Sequence, residues 1–198
     1  MGSEKLTSAV AELFTDIMRP SAEIPKYWKQ GRLKVLFKKG DPKSVENYRP
    51  ITILPILYKL FSKVLLAKVK DILSAQQSVN QAGFRAGYSC DDHLFAVTLL
   101  AEMYKEFQSP LWLVAVDFRK AFDCLSHDRL WASLLEQRVP AVLVNTLQRV
   151  YDGQSCRVQG DRLSKEFRIE RGVRQGDPIS PVLFNAALEK LMRELEAK

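Results

Sequence analysis

The sequence predicts an α+β fold, an antiparallel sheet backed by helices, and three observations carry that prediction. The 198 residues are 46% hydrophobic, enough to bury a substantial core in one domain or two intimate subdomains. Long stretches with apolar residues at three- and four-residue spacing alternate irregularly with short extended ones, without the strict strand–helix order of a parallel sheet. Finally, two alternating segments between residues 155 and 169 flank Gly160-Asp161, a turn signal that predicts a hairpin.

Leu6, Val10, Leu13, Phe14, Ile17 and Met18 share one helical face, so a helix is expected over 6–18, ended by Pro20. Met1-Gly2-Ser3 before it reads as an expression scar. After Ile24-Pro25 and Trp28, residues 33–37 are apolar enough for a strand, and Gly40 and Pro42 close it with a loop at 38–42. Residues 56–73 are helical by pattern: Leu57, Leu60, Phe61, Val64, Leu65 and Ile72 supply a buried face, and Lys59, Lys63 and Lys70 a basic one. Such a basic stripe is most often a solvated face; contact with a template strand is the rival use. A loop over 81–87 leads into a helix over 91–107 with Leu94, Val97, Thr98, Ala101 and Tyr104 on one side. Pro110 then punctuates the chain, and a strand over 111–117 follows. The Ser126 hydroxyl is placed to cap the next helix, with Asp128 in its first turn. Pro140 opens another helix, running to about Tyr151, and Ile179, Leu183, Ala187, Leu191 and Leu195 mark a last long one.

The formal charge of +7 suits a polyanionic partner but says nothing of fold. Cys90, Cys124 and Cys156 are odd in number and follow no metal-ligand spacing, so they are expected as reduced, small apolar residues of an intracellular protein. No apolar run approaches membrane-spanning length, and no secretory leader opens the chain. Neither His93 nor His127 has the sequence partners of a zinc site or a nucleophile triad.

Chemistry concentrates in four blocks. Val114-Ala-Val-Asp-Phe-Arg-Lys-Ala-Phe-Asp-Cys-Leu125 puts Asp117 at the tip of an apolar strand, a good place for a carboxylate that holds a divalent cation. A strand-end aspartate making a turn explains that pattern equally well. The others are Asn47-Tyr-Arg-Pro-Ile-Thr52, Gln81-Ala-Gly-Phe-Arg85 and Arg171-Gly-Val-Arg-Gln-Gly-Asp-Pro-Ile-Ser-Pro-Val-Leu-Phe-Asn185. In this order the blocks resemble the reverse transcriptase domain of non-LTR, long-interspersed-type retrotransposons, with group II intron enzymes as more distant kin, over roughly residues 20–190. The family's second metal-binding block, Tyr-x-Asp-Asp, is expected shortly after residue 198. Tyr88-Ser-Cys-Asp-Asp92 is not that block, because it has an extra residue and precedes Asp117; Ser89 or Asp91 as a helix cap explains it.

The resemblance implies the fingers and partial palm of a right-hand polymerase: an extension over 1–19, a fingers-like part over 20–109, and a partial palm over 110–198, with the 155–169 hairpin packing against the fingers. It makes Asp117 the catalytic, metal-binding aspartate, with the backbone carbonyl of Phe118 as a further metal ligand. Phe122 becomes the ring beneath the incoming sugar, where it would collide with a 2'-hydroxyl. Gln175 and Gly176 sit beside the incoming nucleotide and the templating base, where a side chain on the glycine would obstruct the approach. Lys38, a compact charge, and Arg49, a planar fork, grip the triphosphate. Lys34 and Lys39 are weaker candidates, and Gln81 to Arg85 matches a template-positioning block. Asp123 matches an acidic position that is not a metal ligand, and it reads as a cap or turn partner.

The activity implied is nucleotidyl transfer from a dNTP to a primer 3'-hydroxyl on an RNA template, under two Mg²⁺ ions, with RNA template, DNA primer or RNA–DNA hybrid, and dNTP as partners. The isolated chain is expected to be inactive. The rival readings are a non-catalytic module that binds RNA or RNA–DNA hybrid, and a protein-interaction scaffold prone to self-association.

Overall fold

The computed structural model describes residues 2–197, with side chains from Glu4 onward; Met1 of the expected scar lies outside the described residues. The chain runs α1 (Gly2–Met18), α2 (Lys26–Lys29), β1 (Gln30–Phe37), β2 (Tyr48–Ile53), α3 (Ile56–Gln76), α4 (Cys90–Glu106), α5 (Ala121–Cys124), α6 (His127–Glu136), α7 (Ala141–Tyr151), β3 (Ser155–Val158), β4 (Phe167–Arg168) and α8 (Ser180–Glu196). The class is α+β, a small sheet with helices behind it.

The sheet has the order β2-β1-β3-β4. It is antiparallel at both ends, β1 with β2 and β3 with β4, and parallel at its centre, where β1 meets β3. That parallel pair brings the hairpin after residue 155 onto the strand that begins at Gln30. β2 is absent from the sequence reading because Pro50 interrupts it. Pro50 is harmless where it lies: Thr52, two residues on, donates away from β1 to the carbonyl of Gln175, so the missing N–H of Pro50 also falls on the side away from β1.

One core joins α1, α2, α3, α6, α7 and α8, with Phe122 of α5 packed against it. Phe14, Trp28, Tyr58 and Phe61 interlock at centroid separations of 5.2 to 6.2 Å. Leu65, Val69 and Leu73 of α3 extend that cluster, and Leu130, Leu134, Leu147, Tyr151 and Leu183 close it from α6, α7 and α8. Because α3 buries residues at three- and four-residue steps along its length, it acts as the spine behind the sheet.

Four expectations are corrected. Residues 111–117 form no strand: their backbone lacks regular structure, and Trp112 and Val114 are 89% and 87% exposed. Strand propensity is local, whereas a strand exists only beside a partner, and none among the described residues pairs with this segment. For the same reason the predicted face of α4 is largely uncovered: Leu94, Val97, Thr98 and Ala101 are exposed and Tyr104 is only partly covered. Ser126 occupies the cap position of α6 but makes no side-chain cap bond, whereas Ser89 does cap α4 through the amide of Asp91. Of the three free cysteines only Cys156 is buried; Cys90 and Cys124 are exposed.

Candidate active site

Two distant segments dock through their main chains. The turn after Asp117 passes through Lys120, a non-glycine residue in the left-handed region (φ 49°), and enters α5. The loop from Arg171 onward lies against it. Gly172 donates to the Leu125 carbonyl and Val173 to that of Phe122, each at 2.7 Å, while a ring nitrogen of His127 sits 2.8 Å from the Gly172 carbonyl. Gly172 is obligatory at this junction. Its φ is +87°, and a Cβ there would lie 2.7 to 2.8 Å from the backbone of Phe122 and Asp123.

The docking brings Phe122, Asp123 and Gln175 together. The Phe122 ring stacks on Phe184 of α8 at 4.9 Å and meets the edge of Phe84 at 6.0 Å. Asp123 lies inside α5 and not at its cap, and its carboxylate comes near the Gln175 side chain. Half-burial pushes its carboxyl up; Lys120 and the Gln175 amide pull it back. Both residues line a cavity of about 400 Å³ beneath the sheet, with Leu33, Thr52, Cys156 and Arg168 among its walls.

Gln175 then crosses to the open edge of β2, where its carbonyl accepts from Thr52 at 2.8 Å. Gly176 follows with φ +105°, and a Cβ on it would meet the Thr52 carbonyl at 3.0 Å and a methyl of Ile51 at 3.6 Å. This glycine is required by the backbone alone. Ile51 and Arg49 are two residues apart on β2 and share its face, so Arg49 projects on the side toward which Gly176 turns. Lys38 lies just past the end of β1, its amide bonded to the Asn47 carbonyl, and both cations are exposed.

The stretch from Arg174 to Asp177 is anchored from below by its two charged ends. Arg174, 7% exposed, donates to the Gln154 side chain at 2.9 Å and to the Trp28 carbonyl at 3.2 Å, with its guanidinium over the rings of Tyr58 and Tyr151. Asp177, 3% exposed, accepts from the hydroxyls of Tyr58 and Ser62 on α3 and from the amide of Ile179. Burial, with the Asp177 charge behind it, pushes the phenols of Tyr58 and Tyr151 far above the ordinary tyrosine range, against the pull of Arg174. These anchors escaped the sequence reading. Their one legible signal is Tyr58 and Ser62, two polar groups four residues apart on an otherwise apolar face of α3.

Asp117 and Phe118 lie on the exposed segment ahead of that turn. Two residues beyond Asp117, Arg119 pairs with Glu46 at 3.1 Å, which leads the segment toward the β1–β2 hairpin that carries Lys38 and Arg49. No group of three or more His, Cys, Asp or Glu side chains able to hold a metal occurs among the described residues. Gln81 bonds to Asn185 of α8, and Arg85 to the Ser78 and Ser74 carbonyls, so this block is tied to the helices behind the site.

Residues 37–198 match the profile of a family described as reverse transcriptase (RNA-dependent DNA polymerase). The chain is 31% identical over 177 residues to the retrovirus-related Pol polyprotein from type-2 retrotransposable element R2DM of Drosophila melanogaster, covering 88% of this chain and 16% of that protein. It is 31% identical over 180 residues to a Pol polyprotein from type-1 retrotransposable element R2 of Popillia japonica, covering 88% and 24%. To the probable RNA-directed DNA polymerase from transposon X-element of Drosophila melanogaster it is 32% identical over 167 residues, covering 81% and 18%. It thus spans between about a sixth and a quarter of these relatives.

Proposed function

The chain belongs to the reverse transcriptase (RNA-dependent DNA polymerase) family, and we propose that it supplies the fingers and part of the palm of an RNA-directed DNA polymerase of a non-LTR retroelement. The reaction is attack of a primer 3'-hydroxyl on the α-phosphate of a dNTP opposite an RNA template, with pyrophosphate leaving. The observation that carries this reading is the seating of Gln175-Gly176 on the edge of β2, the strand whose Arg49 projects toward the side Gly176 faces.

In this reading Arg49 grips the triphosphate with a planar fork and Lys38 with a compact charge. Gln175 and Gly176 flank the incoming nucleotide, and the ring of Phe122, held between Phe84 and Phe184, closes the floor beneath the sugar. Asp117, with the carbonyl of Phe118, is the metal-binding end of the site. Mg²⁺ takes six oxygens, usually one or two of them from carboxylates. One exposed carboxylate and one carbonyl do not fit a two-ion centre. The three unpaired cysteines fit a reducing, intracellular setting, and among the described residues no helix is long and apolar enough to cross a membrane.

Binding of a labelled RNA–DNA primer–template, measured against salt, tests the reading. Lys38→Ala and Arg49→Ala, which remove charge from the triphosphate and not from the duplex, are each expected to weaken dNTP binding on that primer–template by about three- to tenfold while leaving the salt slope of the primer–template unchanged. Primer–template affinity independent of ionic strength, or dNTP affinity unchanged in both variants, overturns the assignment. Primer extension by the chain alone is expected to be negligible, because the donor set at Asp117 is incomplete; template-dependent incorporation by pure protein would refute that.

A further inference from the structure

We propose that Phe84 is a positioning residue for sugar selection: its ring holds that of Phe122 in place, so that the site rejects a nucleotide carrying a 2'-hydroxyl. This role rests on the reading above, in which Phe122 lies beneath the sugar, and adds what keeps that ring from yielding.

A ring excludes a hydroxyl only while it cannot move aside. Phe122 is stacked on Phe184 at 4.9 Å with the planes 11° apart, which blocks one face. Phe84 stands nearly perpendicular to it, at 6.0 Å and 82°, and blocks a second direction. Both jaws are mounted on α8. Phe184 belongs to that helix, and its neighbour Asn185, 3% exposed, donates to the Gly83 carbonyl at 2.7 Å and accepts from the Gln81 side chain at 3.3 Å. On the other flank of Phe84, Arg85 donates to the carbonyls of Ser78 and Ser74, at the C-terminal end of α3 and just beyond it. The loop is therefore fixed on both sides of Phe84, which gives the ring a rigid base. Stability does not explain this ring. It is 64% exposed and stays outside the core, and its backbone lies in the left-handed region at φ 57°, a conformation that disfavours an L side chain and suits glycine. The ring it meets is that of Phe122.

Because dATP and ATP differ by that hydroxyl alone, their affinities opposite a template uracil, on an RNA–DNA primer–template, measure the selection. Phe84→Gly removes the ring and the backbone strain together. It is expected to tighten ATP binding about three- to tenfold with dATP affinity unchanged, a change that loss of a merely structural contact would not produce. Phe84→Tyr keeps the ring and the original ratio. NMR on the full chain without nucleotide reads the contact directly: the Phe122 ring signals are expected to shift in Phe84→Gly, while the Val173 amide, bonded to the Phe122 carbonyl, stays in place as the reporter of an intact fold. Acting through Phe122 also means that Phe84→Gly/Phe122→Ala selects no worse than Phe122→Ala alone. Unmoved ring signals, or additive losses of selection in the double variant, overturn the proposal. Phe122→Ala separates it from the reading beneath. If that variant keeps the preference for dATP, Phe122 does not lie under the sugar and both fall; if it loses the preference while Phe84→Gly retains it, the role of Phe84 falls alone.

Discussion

Asp177→Ala should destabilise the chain by about 3 kcal/mol, because it strips the acceptor from two hydroxyls that have no water to turn to. Tyr58 and Ser62 are each 1% exposed, and both donate to this carboxylate. A buried donor left without its partner costs about 1–3 kcal/mol, so two cost about 2–6 kcal/mol, with the lower half favoured because alanine leaves space for relaxation. Tyr58→Phe removes one bond from one side and should cost about 1.5 kcal/mol. Once Asp177 is alanine, Tyr58→Phe should cost almost nothing, since no bond remains to break. Urea unfolding followed by tryptophan fluorescence is a suitable assay, because Trp28 is fully buried with its ring 5.9 Å from that of Tyr58. With a slope of about 2 kcal/mol/M, the midpoint of Asp177→Ala should fall by about 1.5 M at unchanged slope. A shift below about 0.5 M, or additive effects of Tyr58→Phe and Asp177→Ala, would refute the view that this carboxylate anchors the Arg174–Asp177 stretch to α3.

Gly176→Ala should destabilise by about 1–3 kcal/mol from positive φ and the close Thr52 carbonyl, measured in the same urea assay. Burial raises the carboxyl of Asp123, so the folded chain holds that proton more tightly than the unfolded one; stability should fall as pH rises from the ordinary aspartate value, about 3.9, through the raised folded value, and then level off. Asp123→Asn should remove that part of the pH dependence. Ultraviolet titration should find the phenols of Tyr58 and Tyr151 un-ionised until the protein unfolds, an outcome that early ionisation of either, identified with phenylalanine variants, would contradict. Alkylation followed by mass spectrometry should label Cys90 and Cys124 quickly and Cys156 slowly, since burial both covers that thiol and raises its pKa. The apolar surface of α4 and residues 111–116 should drive concentration-dependent self-association in sedimentation velocity, and Leu94→Lys with Trp112→Lys should suppress it.

What the sequence made legible was what depends on near neighbours. The Ser89 cap, the turn at Gly160-Asp161 and part of the buried face of α3 are written in residues a few positions apart; on α3 Phe61 and Leu65 are buried and Leu57, Val64 and Ile72 partly so, but Leu60 is 45% exposed. β2 was hidden because Pro50 spoils its pattern, and only the pairing with β1 shows that the missing donor faces outward. Residues 111–117 failed the opposite way: Leu, Trp and Val favour a strand, but no described strand lies beside them. For the site, Asp117, Lys38, Arg49, Phe122, Gln175 and Gly176 were named from a resemblance, and chemistry alone would have left each with an ordinary explanation. The meeting of Asp123 and Gln175 at one cavity and the seating of Asp177 under α3 join residues far apart in the chain. They leave no local pattern to read.

The bare backbone of residues 111–116 divides this site into a packed half and an open half. The side bearing Arg49, Phe122 and Gln175 is clamped by the protein's own interior, whereas the arm carrying Asp117 holds its amides open to solvent exchange. Phe122 and Gln175 are therefore held by packing and main-chain bonds, whereas no described strand fixes the position of the Asp117 carboxylate.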